Sequence, residues 1–300
     1  MSETETAEQP PAPVVNGTPT EIGDGVYVVP DGRVPLVPNV GIVLGRERAL
    51  VVDTAMGPAN GGRIKAFADE LAGERELLLT ITHFHPEHGF GAQAFGGATI
   101  VYNRAQLEEF HEKGAGYLEM FRTFGESLAR ELEGVELVEP DDVYDGELCE
   151  LDLGGRRLEL RTWGLAHTRG DQVAFLPEER ILFTGDLVEE RCFAIFPYFP
   201  PDDVDVDGER WISVLERLEA LEPKIVVPGH GAVGGAEIVA TAREYITQLR
   251  DETRRLRDGG ATVEEAVDEL DASMRARHPD WVQPEWIGFG VRHFFAAPAP

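Results

Sequence analysis

Apolar positions in the first two thirds of the chain come in short runs whose repeat switches between two and three-to-four residues. The short runs are rich in Val, Ile, Leu and Thr and are bounded by Gly, Pro or Asp. They predict strands at 26–29, 40–44, 50–52, 77–82, 99–102, 148–153, 157–163, 172–176, 181–184 and 224–227. Between them, apolar residues at helical spacing predict helices at 62–71, 104–113, 117–132 and 208–221, the last capped by Asp207. Beyond about residue 235 the strand pattern stops. Residues 236–257 and 263–276 read as two helices, and Thr262 with Glu265 three positions on forms the capping-box signature of the second. The final segment carries Trp281, Trp286, Phe289, Phe294 and Phe295. It is too aromatic for free solvent, so it packs on the body or on a second subunit. The chain thus divides into an acidic, proline-bearing tail expected to be disordered (1–18), a main domain (19–235) and a helical, aromatic extension (236–300).

Composition narrows the function classes. Three hundred residues fit one large domain or two small ones. No apolar stretch is long enough to span a bilayer, and the N-terminus lacks the basic and apolar regions of a secretory signal. The two cysteines, Cys149 and Cys192, imply no disulfide framework and fit a reducing cytoplasm. The net charge is −28, with 55 acidic against 27 basic residues. A surface this negative repels phosphate backbones, so nucleic acid is not an expected partner, and without an apolar span a membrane is not one either.

Candidate chemistry gathers in four segments: His83-Phe84-His85-Pro86-Glu87-His88, Ala166-His167-Thr168, Thr184-Gly185-Asp186 and Pro228-Gly229-His230-Gly231. Each follows a predicted strand, so one sheet edge can collect them all. Imidazole and carboxylate are the donors that zinc and iron prefer, and this set suffices for two adjacent ions. A lone histidine is usually structural, and His111, His278 and His293 are read that way.

These motifs resemble those of the metallo-β-lactamase fold superfamily. HFHPEH is similar to that family's H-x-H-x-D-H, AHTRGD to its third-histidine motif, FTGD to its bridging-aspartate motif and PGHG to its last histidine motif, over about residues 20–235. The resemblance implies an α/β, four-layer αββα sandwich, here with a C-terminal helical extension. It implies His83, His85 and His167 at one metal, His88 and His230 at a second, and Asp186 bridging. Asp53 matches a position that supports the site from behind the ligands. Glu87 stands where the family has Asp. It either ligates the second ion, leaves that site weak, or acts only as a general base. Ala55 and Ala166 stand where Gly is usual.

The implied enzyme is a hydrolase with two zinc ions per chain, in which Glu87 and Asp186 are catalytic. A metal-bound hydroxide would attack a small ester, lactone, thioester or amide. The alternatives are a mononuclear iron oxygenase of the sulfur-dioxygenase type, with one metal, and a non-enzymatic binding protein. Tyr117, Phe121, Phe124 and the stretch 192–199 line the pocket or pack in the core. Arg169 and Arg191 either meet a carboxylate or sulfate or are ordinary surface arginines. The C-terminal helices offer a homodimer interface.

Overall fold

Alternation along the strands decides the layers. The computed structural model describes residues 12–201 and 203–297. Its strands are β1 (Thr20–Gly23), β2 (Val26–Val29), β3 (Val40–Leu44), β4 (Arg48–Val52), β5 (Glu76–Thr80), β6 (Thr99–Asn103), β7 (Asp142–Tyr144), β8 (Leu148–Asp152), β9 (Arg157–Thr162), β10 (Gln172–Leu176), β11 (Ile181–Gly185) and β12 (Ile225–Pro228). Its helices are α1 (Gly57–Ala72), α2 (Pro86–Gly89), α3 (Arg104–Arg122), α4 (Glu126–Glu131), α5 (Gly208–Ala220), α6 (Ala236–Asp258), α7 (Val263–Arg277) and α8 (Glu285–Ala296). β1 to β7 form one sheet in sequence order, antiparallel as far as β4 and parallel after it. The second sheet runs β12-β11-β10-β9-β8, with only β11 and β12 parallel.

In β4, Leu50 and Val52 face the second sheet while Ala49 and Val51 face α1. In β10, Ala174 and Leu176 face the first sheet while Val173 and Phe175 face the C-terminal helices. A strand buried on both faces reads as a continuous apolar run. The result is three cores in four layers: α1, α3 and α4 outside the first sheet, the intersheet core, and α5 to α8 outside the second. Truncating a buried Leu in such a core costs about 2–5 kcal/mol.

The differences from the expected elements have local causes. α3 runs unbroken through Gly114, where a Cβ would lie 3.0 Å from Leu137 Cδ1 and 3.4 Å from Phe84 Cζ. That glycine serves close packing, and the break falls at Gly125, whose φ is +145°. β1 and β7 are short edge strands with little apolar alternation to signal them. The aromatic C-terminal segment is largely helix α8, and its Phe294 is buried against the body. Of the tail expected at 1–18, residues 1–11 lie outside the described residues. From Ala12 onward the chain is docked: Val15 is buried in the α1 core. Its N–H donates to Asn60 Oδ1 at 2.8 Å, and Asn60 Nδ2 donates to the Pro13 carbonyl at 2.8 Å. No helix among the described residues is long and apolar enough to cross a membrane.

Candidate metal centre

Strand direction gathers the four motifs. β9, β11 and β12 run the same way, so their C-terminal ends lie along one edge. β4 and β5 are parallel, so Asp53 and the His83–His88 segment leave the other sheet together. The two edges are stitched at the site: Gln172 Nε2 donates to Thr80 Oγ1 and the Ile81 carbonyl, both at 2.7 Å, and Gln106 Nε2 donates to the Ile81 carbonyl at 2.9 Å. Pro86, pre-set for a first helical turn, opens α2, which presents Glu87 and His88. Asp53 and Ala55 adopt left-handed backbone, at φ +71° and +60°. Ala55 therefore holds a conformation in which glycine, the usual residue at that family position, would be unstrained.

All seven expected side chains converge. Donor atoms of His83, His85, His167 and Asp186 lie within 4.8 Å of one another, and so do those of Glu87, His88, Asp186 and His230. In the first set, His85 Nδ1 is 3.0 Å from His83 Nε2 and 3.3 Å from His167 Nε2. Asp186 divides between the sets. Its Oδ2 is 3.9 Å from His83 Nε2 and 4.0 Å from His167 Nε2, while its Oδ1 is 3.3 Å from His88 Nε2 and 3.7 Å from His230 Nε2. Ligands at about 2.0–2.2 Å from a tetrahedral ion stand roughly 3.3–3.6 Å apart, and the separations here, from 3.0 to 4.0 Å, bracket that spacing. Glu87 Oε2, His88 Nε2 and both Asp186 oxygens are buried without a hydrogen-bond partner. Each such orphan costs about 1–3 kcal/mol unless something meets it. The donor set and its unmet atoms therefore fit a metal. Gly229 is required beside them, since a Cβ there would lie 1.9 Å from Asp186 Oδ1.

Supporting contacts fix the ring orientations. His88 Nδ1 faces Asp53 Oδ2 at 3.0 Å, His167 Nδ1 the Ile195 carbonyl at 2.9 Å and His230 Nδ1 the Val37 carbonyl at 3.0 Å. Each leaves Nε2 toward the cluster. Asp53 is itself held by the Thr82 N–H, which donates to Oδ1 at 2.7 Å. Burial pushes the imidazoles of His83 and His85 well below the usual range and that of His167 to about 4, so these rings are neutral donors at pH 7. Burial alone would raise Asp186, but His88 and His230 hold its carboxyl well below the usual range.

Several residues here escaped the sequence reading. Glu189 Oε2 accepts from the Ile195 N–H at 3.1 Å, and Ile195 in turn holds His167, so Glu189 reaches the cluster through one backbone unit. Its setting, Leu187-Val188-Glu189-Glu190-Arg191, carries no signal that sets it apart from the neighbouring charged residues. Asp171 accepts from the His167 and Thr168 N–H groups at 2.7 and 2.9 Å and shapes the loop that delivers His167. Of the 192–199 stretch, Cys192, Phe193 and Phe196 are buried, the two rings packing on Tyr245, Trp281, Trp211 and Phe294, so that part is core and not pocket. Tyr117 does reach the site, its ring 5.8 Å from that of His85. Arg169 pairs with Glu112 and with Asp205 (3.0 Å), and Arg191 with Glu190 (3.4 Å).

Comparison with known proteins agrees with this geometry. A family model described as the metallo-beta-lactamase superfamily matches residues 33–230. A metallo-beta-lactamase type 2 of Bacteroides fragilis is 26% identical over 230 residues, 73% of this chain and 80% of that protein. An acyl-coenzyme A thioesterase, MBLAC2, of Gallus gallus is 28% identical over 229 residues, 70% of this chain and 78% of that protein. The sec-alkyl sulfatase PisA1, solved as a double mutant, superposes at a TM-score of 0.70 with 15% identity. That match covers 93% of this chain and 50% of the sulfatase, which shows a shared fold.

Proposed function

This chain belongs to the metallo-β-lactamase superfamily, and from that premise we propose that it is a two-zinc hydrolase of a small ester, lactone, thioester or amide. Its homologues are hydrolases, and it is an enzyme of that kind. The observation that carries the finer reading is the division of Asp186, one oxygen toward each of two donor sets.

In this reading His83, His85 and His167 hold one ion, Glu87, His88 and His230 hold the other, and Asp186 serves both. Bound zinc supplies Lewis acidity and lowers the pKa of a water toward ~7. The protein's own work is orientation. Asp53 and Thr82 aim His88, and Ile195 aims His167. Glu87 Oε2, buried and unpartnered, is placed to meet the second ion. Glu87 lies in a donor set gathered within the same 4.8 Å as the first, which favours two ions over the mononuclear iron reading. The two cysteines are unpaired, which fits the cytoplasm.

Metal analysis of the purified protein, paired with assays on the four substrate types, tests this. The expected result is close to two ions per chain and hydrolysis that EDTA abolishes and zinc restores. A metal-free preparation with full activity would overturn it.

A further inference from the structure

An aromatic ladder leads away from the first donor set. His85 is the half-buried member of that set. Its ring is 5.8 Å from that of Tyr117, Tyr117 is 6.4 Å from Phe121, and Phe121 is 5.0 Å from Phe124. Tyr117 and Phe121 stand one turn apart on α3, and Phe124 follows in the turn that ends it, 50% exposed. The rings thus run from the ligand cluster to solvent.

The cations at the inner end of this path, beside Tyr117, are already committed. Lys113, one turn before Tyr117, is only 12% exposed, and its Nζ lies 3.0 Å from Asp203, 3.0 Å from Asp205 and 3.4 Å from Glu109. Asp203 also accepts from the Tyr117 hydroxyl at 2.8 Å. Arg169 pairs with Asp205 and Glu112, and both Arg33 and Arg191 with Glu190. Around Lys113 and Arg169 the carboxylates Glu109, Glu112, Asp203 and Asp205 outnumber the cations. An anionic substrate group there would meet uncompensated negative charge, which is costly in a partly desolvated site.

Building on the hydrolase reading above, we propose that Tyr117, Phe121 and Phe124 bind the acyl or alkyl portion of an uncharged ester or lactone, and that the acidic surround selects against anionic substrates. Apolar contact along the ladder raises affinity with chain length, and Lys113 and Arg169, held by carboxylates, are not free to receive a sulfate or a nucleotide phosphate beside Tyr117.

The test uses the zinc-loaded full chain on p-nitrophenyl esters from acetate to octanoate, on octyl sulfate and on octanoyl-coenzyme A. For the neutral esters kcat/KM rises by about fourfold per methylene buried, and the two anionic substrates are at least about 100-fold poorer than p-nitrophenyl octanoate, reflecting the cost of an unpaired charge. The octanoate-to-acetate ratio falls about 15-fold in Phe121→Ala/Phe124→Ala, the change expected for loss of about two methylenes' burial. Phe124→Ala alone, at an exposed position that does not threaten folding, moves the ratio the same way. Asp205→Asn, which releases charge on Lys113 and Arg169, narrows the gap to octyl sulfate. A preference for either anionic substrate, or an unchanged ratio in both Phe variants, overturns the ladder while leaving the hydrolase intact. Failure to hydrolyse any substrate type overturns the hydrolase reading and the ladder with it.

Discussion

The two halves of the metal centre share Asp186 and otherwise differ in chemistry and support. The first half is three imidazoles, backed by neutral partners: the Thr82 hydroxyl 3.2 Å from His83 Nδ1 and the Ile195 carbonyl behind His167. The second half adds Glu87 to two imidazoles, and its His88 is backed by a carboxylate, Asp53. The first half has the half-buried His85 beside the aromatic ladder, whereas Glu87, His88 and His230 are all buried. An open half with neutral donors suits contact with substrate. A closed half with anionic donors and an anionic support suits tight retention of an ion, because each added carboxylate strengthens the field at the metal and in the supporting imidazole.

The largest blow to this comparison is Asp186→Asn, which strikes both halves at once. Bound metal drops in both sets, and activity falls by more than the roughly 100-fold that loss of a ligand's supporting partner costs. Loss of one ion alone, read by metal analysis, would show that the carboxylate is not shared. Next, Asp53→Asn and Glu189→Ala separate the halves. Removing the charge behind His88 weakens metal affinity by about 10–100-fold, as for other such supports. Glu189 acts one step further away, through Ile195, so its effect on the first half is about tenfold, at the lower end of that range. Chelator-competition titrations read both. Equal losses would remove the distinction between charged and neutral support.

The smallest effect is in pH. His167 has its pKa depressed from 6.5 to about 4, and His83 and His85 are also depressed by burial. Between pH 6.5 and 4 the unfolded chain therefore binds protons that the folded first half refuses, and stability falls as pH drops through that window. His88 differs: burial lowers its pKa, but Asp186 and Asp53 raise it well above 6.5. Its contribution is fully present below 6.5 and is lost as the pH rises through its folded value. Thermal melts of metal-stripped protein should show the acid loss, reduced in His167→Asn. Equal acid loss in the variant would assign it elsewhere.

The centre was more legible in the sequence than the surround. Histidines at 83, 85, 88, 167 and 230 and the acids at 87 and 186 each follow an apolar strand, and strand ends gather at sheet edges. Asp53 was readable only through the resemblance to the family, as a position behind the ligands. Glu189, Thr82 and the Ile195 carbonyl were not, because their role depends on which backbone group lies behind which imidazole. The 192–199 stretch was ambiguous because aromatic residues read alike in cores and pocket walls. Phe193 and Phe196 proved to be core once the C-terminal helices closed over them.

By itself, then, the sequence determined the strand-and-helix alternation, the apolar faces and the chemical identity of seven metal-type donors. These are local properties, set by side-chain periodicity and by residue type. Only the tertiary structure decided that Asp186 points one oxygen at each set, that Asp53 stands behind His88, and that Lys113 and Arg169 are spent on carboxylates. Those facts are distances between groups far apart in the chain, and they exist only once two sheets have packed face to face.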